Sequence, residues 1–288
     1  MKRITLLLPA LSLALVAQEA PSKDEEDLLA LLNTPITVAS KKAMTTRESP
    51  GVITLITREE LQALGARDMI DILRLVPGFE IGYDVQGVTG PAMRGIWGYE
   101  GKILVLWDGL ELNESMYGDV FFGSHYPVDQ IKRVEIIRGP GSSIYGGYAE
   151  VAVIQITSLG ADDVKGVGAG FTYGKGREAT YRQTAEVVGG FAGQDLKLSF
   201  GGFMGTGVRS EGTFTDPTGT SFSLKDTNKF RPAFANLGLT TGGFQFRALL
   251  DQYVLDQQDN ISTATPAPSK IRFGSTNLDA RYTFEPVK

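Results

Sequence analysis

Val167-Gly-Ala-Gly-Phe-Thr-Tyr173 places an apolar or aromatic side chain at every second position, with glycine or threonine between them. A β-strand points successive side chains to opposite faces, so this stretch predicts a strand with one apolar face and one small or polar face. The same alternation returns five more times before the chain reaches Lys288. The stretch therefore predicts the first strand of a series.

The later segments share one property, which is that one face is apolar or aromatic and the other carries charged residues, hydroxyls or glycine. Strands of about ten residues with apolar side chains facing lipid and polar ones facing a lumen are typical of an outer-membrane barrel. We therefore predict antiparallel transmembrane β-barrel strands over residues 161–288. The later segments are Thr180–Val187, Leu196–Gly201, Ala233–Thr240, Phe244–Asp251 and Leu278–Phe284.

The connections between these segments alternate in length. Gly190–Gly193 and Thr241–Gly243 are short, whereas Thr206–Lys229 and Gln257–Lys270 are long. Short periplasmic turns and long outer loops produce this asymmetry. About six strands make only a partial barrel, because the smallest closed ones have about eight and an open edge in lipid leaves backbone groups unsatisfied. We therefore expect that the sequence is incomplete at its C-terminus.

Residues 49–160 precede the predicted barrel strands, which we call the wall. Their sequence pattern predicts a small α+β domain. The pair Thr57 and Glu60 has the capping-box spacing that opens a helix, and Gly65 is expected to end that helix. A second helix is predicted from Met69 through Leu75, before Pro77-Gly78. Predicted strands are Val52–Ile56, Phe79–Tyr83, Ile103–Trp107, Val134–Arg138 and Val151–Thr157, with loops at Asp84–Pro91, Gly95–Gly101 and Asn113–Tyr126.

Residues 1–20 have the pattern of a signal peptide, with Lys2-Arg3 before the apolar run Ile4–Val16 and a small residue at Ala17. That run is too short to span a bilayer as a helix, which takes about 20 apolar residues. Residues 21–48 then form a predicted periplasmic segment. Within it, the β-prone strip Pro35–Ser40 fits either pairing with the edge of a partner's sheet or the first strand of the following domain.

The composition argues against several classes of function. A net charge of −5 and a pI near 5.1 provide no basic footprint for nucleic acid. The absence of cysteine and the presence of one histidine leave little material for thiol chemistry, a zinc–thiolate site or a triad. Gly139–Ile144 lacks the third glycine of a dinucleotide fingerprint. We therefore predict no enzymatic activity, no cofactor and no bound metal.

Individual polar residues have ordinary structural explanations. We expect His125, in the sequence Gly-Ser-His-Tyr, to be a satisfied surface histidine, and Asp108 to shape the turn before Gly109. Glu111, Glu114 and Asp119 carry oxygen ligands, but their spacing matches no EF-type calcium loop. None of these residues is predicted to carry chemistry.

Several motifs, taken in their order and spacing, resemble those of TonB-dependent outer-membrane receptors. The resemblance runs from about residue 34 to the end of the chain. One departure is Gln155, where the family usually has asparagine, and this change leaves the predicted strand intact. The motifs are Ser49–Thr57, Asp71–Gly78, Met93-Arg-Gly95, Val105-Leu-Trp-Asp-Gly109 and Val134–Gly146.

The resemblance implies a plug domain that blocks a large barrel of roughly 22 strands. It implies that Pro35–Ser40 is a TonB box, which pairs with the C-terminal domain of TonB in an energised inner-membrane complex. The partners implied are therefore TonB, the lipid of the outer membrane, and a small ligand such as an iron chelate or cobalamin. The N-terminal segment is acidic and has no lengthy extra domain before the plug, and we take this to argue against the signalling subtype of these receptors.

The resemblance also implies roles for two further sets of residues. Arg94 and Arg138 match plug arginines that pair with barrel glutamates, and we expect both to be unpaired here or to reach only local acids such as Glu135. Exposed aromatic and methionine side chains in the plug loops that would face the outside are expected to contact the ligand. The alternative is that these side chains pack the plug against the wall. They are Tyr83, Trp97, Tyr99, Met116, Tyr117 and Phe121.

Two other architectures remain open at this point. A stand-alone periplasmic plug that binds a ligand or partner predicts a compact soluble cap after residue 161 rather than an extended curved sheet. A small eight-stranded barrel needs two more wall strands within Thr206–Lys229, and the Gly, Thr, Pro and Ser content of that stretch argues against them.

Overall fold

The computed structural model of the chain describes residues 35–36, 38, 44–45, 51–84, 87–98, 100–259 and 267–284. The expected signal peptide and most of the segment 21–48 lie outside the described residues. No helix in the described ranges is long and apolar enough to cross a membrane.

Strands dominate the described part of the chain, with three short α-helices and one 3-10 turn at Val128–Gln130. The helices are α1 Arg58–Leu64, α2 Met69–Leu73 and α3 Ser142–Tyr145. The strands are β1 Pro35–Ile36, β2 Met44–Thr45, β3 Ile53–Thr57, β4 Phe79–Tyr83, β5 Thr89–Met93, β6 Ile96–Trp97, β7 Ile103–Trp107, β8 Leu110–Glu111, β9 Ile131–Ile137, β10 Ala152–Ser158, β11 Gly166–Lys175, β12 Thr180–Ala192, β13 Leu196–Val208, β14 Thr213–Thr215, β15 Ser221–Ser223, β16 Lys229–Thr241, β17 Phe244–Gln257 and β18 Ser269–Tyr282.

Helix α1 begins and ends where the sequence predicts. The Glu60 N–H donates to Thr57 Oγ1 over 3.3 Å, and the Thr57 N–H donates to Glu60 Oε2 over 2.7 Å, which completes the capping box. Gly65 ends the helix in the left-handed conformation, at φ 60°. Leu61 is the buried residue of this helix and anchors it to the domain core.

Helix α2 is shorter than the predicted span. Asp68 caps its start by accepting from the N–H groups of Ile70 and Asp71, and the helix ends at Leu73. Leu75 lies beyond that end and is 51% exposed, so its inclusion in the helix was wrong. The chain needs to turn early because Pro77-Gly78 leads directly into β4.

The first domain is built on a five-stranded sheet in the order β3-β9-β10-β7-β8. Strands β7 and β10 pair in parallel, and the other neighbours are antiparallel. A smaller sheet in the order β4-β5-β6 lies beside it. Strands β5 and β6 lie largely in or beside stretches that we predicted to be loops. A loop was predicted around β5 because Gly90 and Pro91 disfavour a strand in isolation.

The second part is a single sheet in the sequential order β11-β12-β13-β16-β17-β18, with every neighbour antiparallel. Its six strands confirm the predicted alternating segments and run for 10 to 14 residues each. Strands β14 and β15 form a separate hairpin of three-residue strands between β13 and β16, outside the wall. They do not supply the two wall strands that an eight-stranded barrel requires.

The first domain packs against one face of the wall and shares a core with it. Phe203, Phe234 and Leu249 from the wall are nearly fully buried in the cluster that surrounds Trp107 of β7. The rings of Trp107 and Phe234 meet edge to face, with centroids 4.7 Å apart. The expectation of a uniformly polar inner face was therefore wrong at these positions, because the wall presents apolar side chains wherever the plug core contacts it.

Candidate functional site

The two ends of the wall differ in their connections. The links β12–β13 and β16–β17 are turns of a few residues, whereas Arg209–Asn228 and the segment between Gln257 and Ser269 are long. Long loops mark the outer end of an outer-membrane wall. The outer end is therefore the end that carries the hairpin β14–β15 and the tip of β18 at Ser269.

A cavity of about 610 Å³ lies at this outer end, between the first domain and the ends of the wall strands. Tyr83 of β4 reaches it from the plug side, and its hydroxyl donates to Asp259 Oδ2 over 3.1 Å. Arg209, just after β13, donates to the Tyr83 hydroxyl oxygen and lies 2.8 Å from Asp259 Oδ1. The guanidinium carbon is 5.0 Å from the centroid of the Tyr83 ring. The three side chains form one polar group that joins plug and wall.

The hydroxyl of this group stays protonated under ordinary conditions. Although Tyr83 as a residue is 45% exposed, burial raises the pKa of its hydroxyl to about 12. The tyrosine therefore acts as a hydrogen-bond donor to Asp259 and keeps an exposed aromatic surface toward the cavity. That surface is of the kind that stacks on bulky ligands.

The other residues predicted to contact ligand occupy different environments. Met116 and Tyr117 are 77% and 43% exposed in the loop after β8, where Glu114 accepts from both of their N–H groups. Trp97 is half-buried against β4, and a Cβ at Gly82 would lie 2.5 Å from its ring. Tyr99 lies outside the described residues. Met116 and Tyr117 thus remain accessible, whereas Trp97 packs within the plug.

Phe121 packs on the wall instead of facing an open surface. It is 6% exposed, and its ring stacks on Phe273 of β18 with centroids 3.3 Å apart. The other buried residues of this small apolar cluster are Val88, Phe230, Tyr253 and Leu255. The structure therefore places Phe121 in the alternative role, which is packing of the plug against the barrel wall.

The N-terminal strip is folded onto the plug at the two positions whose burial is described. Ile36 and Val38 are fully buried, and β1 pairs with β2. The Val38 N–H donates to Glu135 Oε2 over 3.0 Å, and its carbonyl accepts from the Tyr145 hydroxyl over 2.6 Å. The Val38 side chain joins a cluster with Leu104, Leu106, Ile137, Ala149 and Val153. Thr37, Ala39 and Ser40 lie outside the described residues.

Arg94 and Arg138 are the two plug arginines that the resemblance pairs with barrel glutamates. Arg94 is exposed, with a left-handed backbone at φ 52°, and Arg138 Nη1 lies 3.4 Å from the Pro77 carbonyl oxygen. Within the described residues neither forms an ion pair. Glu135 lies 2.9 Å from Arg133 Nε, although the N–H is not aligned for a hydrogen bond. The pairing of Arg94 and Arg138 with barrel acids stays a prediction.

His125 is buried at the boundary between plug and wall, so its assignment to the surface was wrong. Its Nδ1 lies 2.7 Å from the Phe121 carbonyl oxygen, and its Nε2 lies 2.6 Å from Asp251 Oδ1 of β17. Both ring nitrogens of His125 thus have an oxygen of the protein within hydrogen-bond distance. Tyr126 donates to the second oxygen of Asp251 over 3.1 Å.

Asp108 has a second contact that the sequence did not indicate. Its backbone turns at φ 50° before Gly109, as expected, and its carboxylate accepts from the N–H and hydroxyl of Ser158. Arg247 of β17 places Nη1 2.5 Å from Asp108 Oδ2. Sequence reasoning missed both wall contacts because His125 and Asp108 are each more than a hundred residues from their partners, and no local pattern marks such a pairing.

The acids of the loop after β8 do not converge on a metal site. No group of three histidine or acidic side chains in the described residues is arranged to hold a metal ion. Burial, and then the nearby Asp84 and Glu114, raise the pKa of Asp119 to about 7. Asp119 is therefore partly protonated at neutral pH, which weakens it as a cation ligand.

We expect Asp251→Ala to loosen the plug from the wall. The substitution leaves the buried polar groups of His125 and Tyr126 without their acceptor, and each such loss costs about 1–3 kcal/mol. Urea should therefore expose residues 51–158 to protease at a lower concentration than in the wild type. Asp251→Asn is the matched control, because its amide still offers an acceptor to Tyr126 and a hydrogen-bonding group to His125 Nε2. Equal protection in the alanine variant would contradict this account.

A small α+β domain packed on an antiparallel wall, with a cavity at the outer end and an N-terminal strip folded onto the domain, is the architecture that the resemblance implies. Residues 45–152 match the family model described as the TonB-dependent Receptor Plug Domain. The vitamin B12 transporter BtuB of Vibrio vulnificus strain CMCP6 is 33% identical over 181 residues, covering 62% of this chain and 28% of that protein. BtuB of Photobacterium profundum is 26% identical over 252 residues, covering 80% of this chain and 38% of that protein.

Solved structures show the same fold. A mutant of the ferric enterobactin receptor PfeA of Pseudomonas aeruginosa superposes with a TM-score of 0.59 at 16% identity, covering 88% of this chain and 40% of that one. The chain spans 28% and 38% of the length of the two curated relatives above. Residues 45–152 therefore resemble the plug domain of TonB-dependent receptors, and the strands that follow share the fold of the first part of the wall in such a receptor.

Proposed function

We propose that the complete protein imports a scarce, bulky nutrient across the outer membrane with energy supplied through TonB. The observation that carries this proposal is a plug that shares a buried core with the inner face of the wall and leaves a cavity of about 610 Å³ at the outer end. A filled lumen prevents free diffusion, so transport requires that the plug be rearranged. The extended wall is also not the compact cap that a stand-alone periplasmic module predicts.

The ligand proposed is an iron chelate or cobalamin. Support for a bulky ligand comes from the cavity, which combines the aromatic face of Tyr83 with the arginines Arg182 and Arg209. The curated relatives named above are vitamin B12 transporters, so cobalamin is the first ligand to test. No catalytic role is proposed for any residue.

The location proposed is the outer membrane, reached through export by residues 1–20. Outward-facing wall residues such as Phe171, Leu250 and Leu278 are 70%, 52% and 67% exposed, as lipid-facing side chains are when the lipid is absent. The partner proposed for Pro35–Ser40 is the C-terminal domain of TonB, through main-chain pairing at a sheet edge.

Uptake by whole cells tests the proposal. Cells that produce the complete protein should accumulate labelled cyanocobalamin or a labelled ferric chelate above cells that lack it. An uncoupler of the inner-membrane proton gradient should abolish the difference, because outer-membrane transport has no energy source of its own. Accumulation that is unaffected by the uncoupler would contradict an energy-coupled importer.

We expect Arg209→Ala to weaken ligand binding at least about tenfold. The substitution removes a cation from the cavity and leaves Asp259 unpaired beside the Tyr83 hydroxyl. Lys225→Ala is the matched control, because Lys225 pairs with Glu178 on the exposed outer rim. Equilibrium binding of the transported ligand to both variants measures the difference. Equal affinity in Arg209→Ala and the wild type would remove this cavity from the binding site.

A further inference from the structure

The boundary between plug and wall is apolar on one side and polar on the other. Across β13, β16 and β17 the wall presents Phe203, Phe234 and Leu249, which are nearly fully buried in the core shared with the plug. On β12 the wall instead presents Arg182 and Glu186, which face charged groups of the plug. Opening an apolar seal exposes buried apolar surface to water, whereas the groups of a polar boundary can bind water instead. The β12 side is therefore the side that opens at the lower cost.

Polar atoms of the plug and of β12 make the contacts across this polar boundary. Arg182 Nη1 donates to the Arg67 carbonyl oxygen over 2.6 Å, and Arg182 Nη2 donates to Ser124 Oγ over 2.8 Å. Nearer the periplasmic end of β12, the carboxyl group of Glu186 hydrogen-bonds to that of Asp129. Arg67 follows helix α1 directly, so the end of this helix and the turn after it form the plug side of the boundary.

Two cavities lie along the plug side of this boundary, one on each side of the turn between α1 and α2. The outer cavity, of about 610 Å³, is lined by Arg67 and Asp68 of that turn. A second cavity, of about 190 Å³, is lined by Gln62 and Ala66 and extends to Asp129. The turn at residues 65–68 therefore separates the two cavities.

The inward residues of the neighbouring strand β11 are small. Gly170 pairs with Glu186 and shares its inward face, and so do Gly168, Thr172 and Gly174 at alternate positions. Thr172 and Gly174 line the outer cavity, and both Gly168 and Thr172 are exposed. Gly168 lies six residues from Gly174, which is about 20 Å along a strand. An open strip of wall therefore leads from the outer cavity toward the periplasmic end.

We propose that the imported ligand passes between β11–β12 and helix α1, a route that we call the polar seam, and that the turn at residues 65–68 closes its outer end. Arg182 holds this turn closed, because it donates to the Arg67 carbonyl oxygen and lies 4.0 Å from Asp68 Oδ2. The apolar seal across β13, β16 and β17 stays in place during import, so only one side of the plug moves. This inference rests on the proposed function, because it names the path by which the ligand leaves the outer cavity.

Tryptophan substitutions test the route in cells that produce the complete protein. Gly168→Trp places an indole in the polar seam, and a Cβ at this position would lie 3.7 Å from Val188 Cγ1, which is an ordinary contact. Asn277→Trp is the matched control. Asn277 also faces inward, and the strand register places it at the depth of Gly168 but on β18. Initial uptake of labelled cyanocobalamin and of a labelled ferric chelate is measured, together with equilibrium binding of each.

We expect Gly168→Trp to slow uptake at least about tenfold, because the ligand must displace an indole that fills the seam. Asn277→Trp should retain most of the uptake, and both variants should bind the ligand as the wild type does. Heat-modifiable migration on gels identifies variants that are folded. Wild-type uptake by Gly168→Trp, or an equal loss in the two variants, would overturn the proposal. A wild type that imports neither nutrient would contradict the proposed function, and the seam is then tested by a measurement that needs no nutrient.

That measurement is the reactivity of a thiol in the seam. Residues 1–288 contain no cysteine, so Gly168→Cys introduces the only thiol of this part of the protein. A membrane-impermeant methanethiosulfonate is added outside the cells, and its rate of reaction is compared with and without Arg182→Ala. We expect Arg182→Ala to raise the rate at least about tenfold, because the turn loses the donor that holds it against β12. Asn277→Cys reports general loosening of the plug, and its rate should not change. No increase at Gly168→Cys, or an equal increase at both positions, would overturn the proposal.

Discussion

Proline at two positions of the N-terminal strip should abolish energy-coupled uptake and leave ligand binding unchanged. Ile36→Pro combined with Val38→Pro removes two main-chain N–H groups, and a strand that pairs with a sheet edge depends on such groups. Each proline leaves an acceptor of the partner strand without its donor, at a cost of about 1–3 kcal/mol, so uptake should fall at least about thirtyfold. Initial rates of uptake of the labelled nutrient measure the loss.

The matched control for this prediction retains the backbone. Ile36→Thr combined with Val38→Thr keeps both N–H groups and the β propensity of the strip, so most of the uptake should remain. Both variants lose apolar contacts on the plug, where Val38 packs against Leu104 and Val153. A proline variant that transports at the wild-type rate would show that Pro35–Ser40 is not the segment that is pulled.

Trp107→Ala should cause the largest loss of stability of any single substitution discussed above. Trp107 is fully buried in the core shared by plug and wall, where its ring contacts Phe234 and Tyr126. Truncation of a buried tryptophan costs about 3–5 kcal/mol, because it removes the ring and leaves a cavity. The urea concentration that exposes the plug to protease should fall strongly, and Trp107→Phe should show a smaller fall.

A double-mutant cycle shows whether this loss arises at the boundary between plug and wall. Phe234→Ala removes the wall partner of Trp107, and edge-to-face aromatic pairs contribute about 0.5–1.5 kcal/mol beyond their buried area. The double variant should therefore lose less stability than the sum of the single variants, by about 1 kcal/mol. Strict additivity would show that Trp107 stabilises only the plug and that the plug does not pack on the wall through this pair.

The parts of the fold that follow a local pattern could be predicted from the sequence. The alternation around Val167–Tyr173 and its repeats predicted the wall strands, because side-chain direction in a strand depends only on position. The capping box at Thr57 and Glu60 predicted the start of α1 for a similar reason. Strand β5 was missed because Gly90 and Pro91 are tolerated only through pairing with β4 and β6.

The contacts that join plug and wall could not be predicted in this way. His125 and Asp251 are 126 residues apart, and neither has a neighbour in sequence that indicates the other. Phe121 was assigned to a ligand-contacting loop, whereas its ring stacks on Phe273, which lies in the last described strand. Residues such as these are identified only when the curvature of the wall and the position of the plug are both known.

Cysteine cross-linking in cells tests the central claim, that the N-terminal strip is where TonB engages this receptor. Residues 1–288 contain no cysteine, so a single substitution at one of positions 35 to 40 introduces the only thiol of this part of the protein. Each variant of the complete protein is produced together with TonB that carries one cysteine in the edge strand of its C-terminal domain. We predict disulfide-linked complexes at positions of the strip, stronger when the transported ligand is added. Absence of cross-links at all six positions, under conditions in which another TonB-dependent receptor is linked, would contradict the account.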